Sequence, residues 1–274
     1  MKPPKFQQIR ITLEDSVATI TLNRPDKGNA ISSELSESLI NAVRWACGTA
    51  IVRVIILTGS GKYFCSGMDL ASSSELSFKG TAFERALDMF ETVKQCPKPT
   101  IAALNGPALG GGFGLALCCD LRIASDKVYA QLSEVRRGLV PAIISRYLVE
   151  ELGASTARAW MLLGNRITAE SLLSSGAIHI IVTENSDASW NAAIKLWVDN
   201  LVAGGPAAQQ DCKALVNSLI RDSTEKALMK VNNTFEGMMT SAQAMYGIQC
   251  FLEKKKPNWD IFLNGDNEKR EFKL

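Results

Sequence analysis

Glu134 is the carboxylate in this chain best suited to moving a proton. It stands in Leu132-Ser133-Glu134-Val135-Arg136-Arg137-Gly138-Leu139-Val140-Pro141, among apolar residues and beside two arginines. A carboxyl group in apolar surroundings holds its proton more tightly than one in water, which suits acid/base work. The competing explanation is a surface glutamate in a local ion pair. A second stretch is Asn105-Gly106-Pro107-Ala108-Leu109-Gly110-Gly111-Gly112-Phe113-Gly114-Leu115. Its run of glycines admits positive φ and close approach to the main chain. A helix opening there directs its unpaired N–H groups, at the positive end of its dipole, toward the loop. An anion or a developing oxyanion is favoured at such a place; a turn packed on a strand is the plainer alternative. The spacing is not Gly-x-Gly-x-x-Gly and no Gly-Lys-Ser/Thr follows, so neither a dinucleotide fingerprint nor a phosphate loop is present. The third stretch, Lys62-Tyr63-Phe64-Cys65-Ser66-Gly67-Met68-Asp69-Leu70, follows Thr58-Gly59-Ser60-Gly61. Small residues after a strand let backbone N–H groups face a ligand, although taken alone this is also an ordinary surface loop.

Other chemistries find little support. His179 is the only histidine and lies between Ala177-Ile178 and Ile180-Ile181, so it is expected to be structural. With one histidine, a Ser-His-Asp arrangement and a His/Cys metal cluster are both disfavoured. The seven cysteines are odd in number and scattered; adjacent Cys118 and Cys119 sit in an apolar run and are expected to be small buried residues. Reduced thiols in an intracellular protein follow. The formal net charge of +2 is too small to imply nucleic-acid or membrane attraction in bulk. No apolar run reaches the about eighteen residues that cross a bilayer, and Met1–Arg10 has no signal-peptide core. A cytoplasmic location is expected. The ending Phe272-Lys273-Leu274 raises peroxisomal import as the alternative, with Phe replacing the small first residue of Ser-Lys-Leu.

The elements that must position these stretches can be followed along the chain. Its 274 residues, 46% hydrophobic and 21% charged, allow one large domain or a large domain with a small appendage. Val17–Leu22 alternates as a half-buried strand, and Asn23-Arg24-Pro25-Asp26-Lys27-Gly28 is a turn. Ser33–Cys47 has helical spacing, Val52–Leu57 is a buried parallel strand, and Phe83 to Val93 marks a helix that Pro97 and Pro99 stop. Thr100–Leu104, Leu121–Ala124 and Val128–Leu132 are predicted strands. Ser155 and Thr168 are predicted to cap helices, the second ending at Gly176. Ala188–Val202 is a long helix, Pro206 opens the next, and a last helix covers Ser241–Lys255. Strands alternate with helices to about residue 185 and helices dominate afterwards. The fold class is therefore α/β with a C-terminal helical region.

The ordered set of motifs resembles the crotonase (enoyl-CoA hydratase/isomerase) superfamily. The set comprises the Arg24-Pro25 turn, Phe64-Cys65-Ser66-Gly67-Met68-Asp69-Leu70, Asn105-Gly106-Pro107-Ala108-Leu109-Gly110-Gly111-Gly112, and Ser133-Glu134-Val135 with Gly138-Leu139-Val140-Pro141. Phe251-Leu252-Glu253-Lys254-Lys255-Lys256-Pro257-Asn258-Trp259 also looks like the family's ending. The Ser133–Ser145 region looks closest to methylglutaconyl-CoA hydratases. The resemblance implies a spiral of ββα units over residues 1–200 and a C-terminal helical trimerisation region over 201–274. It implies an acyl-CoA thioester as partner, coenzyme A being part of the substrate rather than a separate cofactor, and a homotrimer or hexamer. No nucleic-acid or membrane partner is expected.

By motif matching, the backbone N–H groups of Ser66 and Gly111 form the family's oxyanion hole, and a β-branched residue at Gly111 is not tolerated. Glu134 matches the second of the hydratases' paired glutamates. The first falls at Gly114, which has no side chain. Single-carboxylate isomerases, which move a proton from C2 to C4 of a 3-enoyl-CoA, resemble this pattern better. Hydroxycinnamoyl-CoA hydratase-lyases also lack the first acid; on that analogy Gly114, with Gly110, opens space in the substrate pocket for a bulky acyl group. Met68, Asp69 and Leu70 are expected near the adenine, Lys27 and Arg24 near the phosphates, and Phe251 and Lys254 near a ligand, even a neighbouring subunit's. Hydration or dehydration with Glu134 alone stays open. So do acyl-CoA decarboxylation or C–C cleavage on the same fold, and a catalytically weak scaffold or RNA-binding role.

Overall fold

A computed structural model describes residues 2–69, 81–183 and 186–263 of the chain. Its first half runs β1 (Ile9–Glu14), β2 (Val17–Leu22), α1 (Ser33–Gly48), β3 (Val54–Gly59), α2 (Thr81–Lys94), β4 (Thr100–Leu104), β5 (Ala108–Leu109), α3 (Gly111–Leu117) and β6 (Leu121–Ser125). The second half runs β7 (Tyr129–Gln131), α4 (Ala142–Leu163), β8 (Arg166–Thr168), α5 (Ala169–Ser174), β9 (Ile180–Val182), α6 (Asp187–Val202), α7 (Pro206–Arg221), α8 (Thr224–Thr240) and α9 (Ala242–Leu252). The larger sheet has the order β1-β2-β3-β4-β6-β9, and β5-β7-β8 form a small second sheet. Only the β1–β2 pair of the larger sheet is antiparallel.

Both faces of the central strands are covered, which is why β3 and β4 are apolar without alternation. Val54 and Ile56 of β3 and Ile101 and Ala103 of β4 join the core beneath α6, through Trp190, Ile194, Trp197 and Leu201. Ile55, Leu57, Ala102 and Leu104 point the other way, into the core shared with α1, α2, α3 and α4. The loops that leave the C-terminal ends of β3 and β4 therefore emerge side by side, the usual place for a ligand crevice in a parallel sheet.

Several boundaries differ from the sequence expectations. The buried strand begins at Val54, not Val52, because Val52 donates to the Thr49 carbonyl in the turn after α1. A helix does begin close to Ser155, because α4, Ala142–Leu163, is two helices meeting at a break at Gly153 with φ 73° and ψ 161°; among the described residues no hydrogen bond makes the Ser155 side chain its cap. Thr168 does cap α5, accepting from Ser171 N. The last helix is shorter than expected, ending at Leu252. β1, β5, β8 and α8 have no counterpart in the expectations. β1 alternates Ile-Arg-Ile-Thr-Leu-Glu, a period-two signal. In α8, Leu228, Met229 and Phe235 are exposed rather than turned to a core. Cys118 and Cys119 are buried as expected. His179 is structural, its Nδ1 accepting from Arg122 N at 3.1 Å, and burial lowers its pKa.

One buried ion network ties the layers together. The Arg122 side chain is 3% exposed and pairs with Glu151 at 2.9 Å, and Lys94 meets the other Glu151 oxygen at 2.5 Å. β6, α4 and α2 are joined in this way. Truncating Glu151 strands a buried guanidinium, so Glu151→Ala is expected to cost about 3–5 kcal/mol. A urea denaturation series checks it; a midpoint unchanged from the parent would contradict the network's role.

Candidate active site

The site is built where the loop after β3 meets the loop after β4. Leu109 N donates to the Cys65 carbonyl at 2.9 Å, and Phe64 N donates to Pro107 O at 3.2 Å. Asn29 anchors this loop from below. It is fully buried; its Nδ2 donates to the carbonyls of Ser60, Tyr63 and Phe64, and its Oδ1 accepts from Arg24 N. Asn105 does the same for the second loop, accepting from Gly59 N at 3.0 Å and donating to Gly61 O.

Ser66 cannot serve as an oxyanion donor as expected. Its N–H is already committed to the Gly28 carbonyl at 2.9 Å. The next N–H on the same side of the loop belongs to Met68. A bridge to Ile31 uses the Gly67 carbonyl and the Asp69 N–H and leaves the Met68 N–H unpaired among the described residues. The Gly111 N–H, at the start of α3, is likewise unpaired among them. The two are neighbours: a Cβ built on Gly111 would lie 3.7 Å from the Met68 nitrogen, and one built on Gly67 3.4 Å from the Gly111 nitrogen. Two convergent N–H groups at a helix start can hold an oxygen that gains negative charge.

Glu134 reaches this place through the small sheet. β5 pairs with β7, Gly110 N donates to Gln131 O at 2.9 Å, and the 3₁₀ turn Ser133–Arg137 follows at once. The Glu134 carboxylate then lies against Gly110, whose φ is +47°; a Cβ there would be 2.6 Å from Oε1. Glu134 is half-buried and its Oε2 is buried without a hydrogen-bond partner among the described residues. Burial raises its pKa; its own backbone N–H and the charge of Arg137 pull the other way. Neither neighbouring arginine forms the local ion pair. Arg137 binds Ser133 Oγ at 2.7 Å, and Arg136 binds Asn165.

One expectation about a glycine is corrected. Gly114 opens no pocket: a Cβ on it would meet Ile144 Cγ2 at 2.3 Å, so α4 fills that space with a buried isoleucine. A lone Cβ on Gly111 would meet Ile31 and Met68 only at ordinary contact, 3.5 Å and beyond. The constraint falls on Gly110 and on Gly112, where a Cβ would sit 2.3 Å from the Cys65 carbonyl oxygen.

The remaining expected ligand residues are more dispersed. Arg24 pairs with Asp69 at 3.0 Å and donates to the Ala30 carbonyl. Lys27 is exposed in the 3₁₀ turn Pro25–Lys27. Met68 is 44% exposed at the mouth of the site. Leu70 lies outside the described residues, as does Phe272-Lys273-Leu274. Phe251, 80% exposed, and Lys254 lie at the end of α9 and just after it, and no hydrogen bond, ion pair or ring contact joins them to the loops around Glu134. Among the described residues, no His/Cys/Asp/Glu group is placed to hold a metal, and no helix is long and apolar enough to cross a membrane.

This geometry coincides with a matching family. The enoyl-CoA hydratase/isomerase model matches residues 12–261, and the chain belongs to that family, with the crotonase fold. An enoyl-CoA hydratase of Alternaria alternata, AFT6-1, is 35% identical over 92% of this chain and 84% of its own length. A second from that organism, ACTT6, is 37% identical over 88% of this chain and 80% of its own length. The crystal structure of a Bacillus anthracis enoyl-CoA hydratase superposes with a TM-score of 0.85 at 30% identity, covering 93% of this chain and 99% of that one.

Gly110→Ala forces a side chain into left-handed backbone and onto the Glu134 carboxylate. A displacement of the carboxylate by about 1 Å is expected to lower turnover about 100-fold, while Gly111→Ala, with room for its Cβ, is expected to lose far less. Steady-state kinetics of the two variants, with circular dichroism to establish folding, check the order; the reverse order would refute it.

Proposed function

We propose that this chain binds an acyl-CoA thioester, holds its enolate oxygen on the N–H groups of Met68 and Gly111, and moves the proton with Glu134 as the single acid/base. The observation that carries this reading is the Glu134 carboxylate, half-buried with one oxygen unpaired, packed on Gly110 beside those two N–H groups. Each donor is worth about 2.7–4 kcal/mol of transition-state stabilisation in such sites. Coenzyme A enters as part of the substrate, and the chemistry calls for no further cofactor.

The reaction favoured is a 1,3-proton shift in a 3-enoyl-CoA. One carboxylate can take the proton from C2 and return it at C4, and Ile144 leaves no room at Gly114 for a second acid. Hydration of a 2-enoyl-CoA by Glu134 alone is the second reading, supported by the hydratase names of the relatives. A closed oligomer of this chain, a trimer or a pair of trimers, is also proposed; exposed Leu219, Ile220, Leu228, Met229, Phe235 and Met239 on α7 and α8 offer the apolar surface it needs.

Incubation with 3-enoyl-CoA and 2-enoyl-CoA in ¹⁸O-labelled water separates the two reactions. Isomerisation leaves the ester mass unchanged, and hydration adds labelled water. Glu134→Gln is expected to reduce turnover by about 100- to 10,000-fold while acyl-CoA binding persists. Full activity in that variant would remove Glu134 from the mechanism.

The sign of the pH dependence follows from the raised pKa. Glu134 must be ionised to act as base, so kcat/KM is expected to fall as pH drops through its pKa. Because burial raises that pKa, the fall begins above the ordinary carboxylate value of 4.5. A pH profile still flat below that value would contradict the assignment.

A further inference from the structure

Away from the active site, two cysteines from different helices meet. Cys47, in the last turn of α1, and Cys96, in the turn after α2, have their sulfurs 3.2 Å apart although they lie 49 residues apart in sequence. The other cysteines make no such contact with a partner across the fold among the described residues. We propose that Cys47 and Cys96 form a dithiol that hydroperoxides oxidise to an intramolecular disulfide.

The surroundings suit this chemistry. Cys47 is part-exposed and Cys96 is buried, and both border a surface cleft of about 360 Å³ that also includes Val43, Arg44, Asp88 and Thr92. A small peroxide therefore has a route to the pair. The Cys96 sulfur is 3.5 Å from the Lys98 carbonyl oxygen, the same oxygen that accepts from the Lys213 ammonium at 2.8 Å. A hydrogen bond from Cys47 lowers the Cys96 pKa against the opposing effect of burial, and the charge of Lys213 adds to the lowering while that of Asp120 resists it; the same contact and burial raise the pKa of Cys47. Cys96 is thus the attacking thiolate and Cys47 the resolving thiol.

The Cys96 thiolate attacks the terminal oxygen of the hydroperoxide and the O–O bond breaks; the sulfenic acid keeps the peroxide's proton, and the departing hydroxide or alkoxide takes up from solvent the proton that Cys96 released on ionising. The Cys47 sulfur then attacks the Cys96 sulfur; the S–S bond forms, the S–O bond breaks, and the hydroxide leaves as water with the Cys47 proton. Two electrons pass from the thiols to the peroxide. From the contact distance, the sulfurs need to close by about 1 Å to bond. The bond would join the end of α1 to the end of α2, closing a loop that contains β3 and the Met68 segment of the site.

The full chain carrying Cys212→Ser, which removes an exposed competing thiol, is reduced, freed of reductant and treated with stoichiometric hydrogen peroxide. It is then quenched in acid, alkylated under denaturing conditions and digested. The expected result is a peptide linking Cys47 to Cys96, a parent mass lower by two hydrogens, and recovery of both thiols with dithiothreitol. Cys47→Ser, checked for native circular dichroism, is expected to yield no linked peptide and instead, once a second equivalent of peroxide is added, to accumulate sulfinic acid at Cys96. Alkylation or separate oxidation of both residues with no linked peptide, or linkage only to other cysteines, overturns the proposal.

Discussion

Everything in the site rests on how closely two stretches of main chain approach one another. The loop after β3 and the loop after β4 lie so near that a single Cβ would collide at three places. One on Gly106 would come within 2.0 Å of the Lys62 carbonyl oxygen, one on Gly112 within 2.3 Å of that of Cys65, and one on Gly67 within 2.8 Å of that of Leu109. These contacts are between backbones, so no rotamer change relieves them. They bring the Met68 and Gly111 N–H groups together and set Gly110 where Glu134 can lie on it. A site whose binding groups are amides must be held this way, because amides cannot be repositioned by side-chain motion. In the proposed reaction, binding and catalysis share one scaffold of glycines, and the buried amide of Asn29 fixes that scaffold to the core.

The three chemical stretches, Glu134 among them, were legible in the sequence because each is local. Glycine runs, small residues after a strand and a carboxylate in apolar company show in a few consecutive residues. What did not show was anything decided by a partner far along the chain. Ser66 and Met68 are two residues apart in one loop, and only the Gly28 carbonyl, reached from the turn after β2, distinguishes the committed N–H from the free one. The space at Gly114 depends on Ile144 in another helix. The pairing of Arg24 with Asp69, 45 residues further along the chain, was equally invisible in either local stretch. The same distinction holds for the fold. β3 and β4 were legible as continuous apolar runs because both their faces are buried. α8 carried no legible core face because its large apolar side chains do not turn inward within this chain.

The electrostatics of the site depend on restraint in its neighbours. Two arginines adjacent to Glu134 in sequence would, if paired with it, lower its pKa by stabilising the carboxylate and weaken it as a base. The 3₁₀ turn directs them elsewhere, Arg137 back to Ser133 and Arg136 across to Asn165. Only the longer-range charge of Arg137 still acts on Glu134, against the larger effect of burial. The apolar Ile144 acts in the same sense by adding no charge and no proton donor beside Gly114. A single carboxylate that must both remove and return a proton works best when its pKa lies between those of an ordinary carboxyl group and its reaction partner. Partial burial without a counter-ion is the simplest way to move it there. In the proposed reaction, the glycine at position 114 and the unpaired Glu134 oxygen therefore belong together: proton transfer is confined to one group and the enolate is held by the main chain.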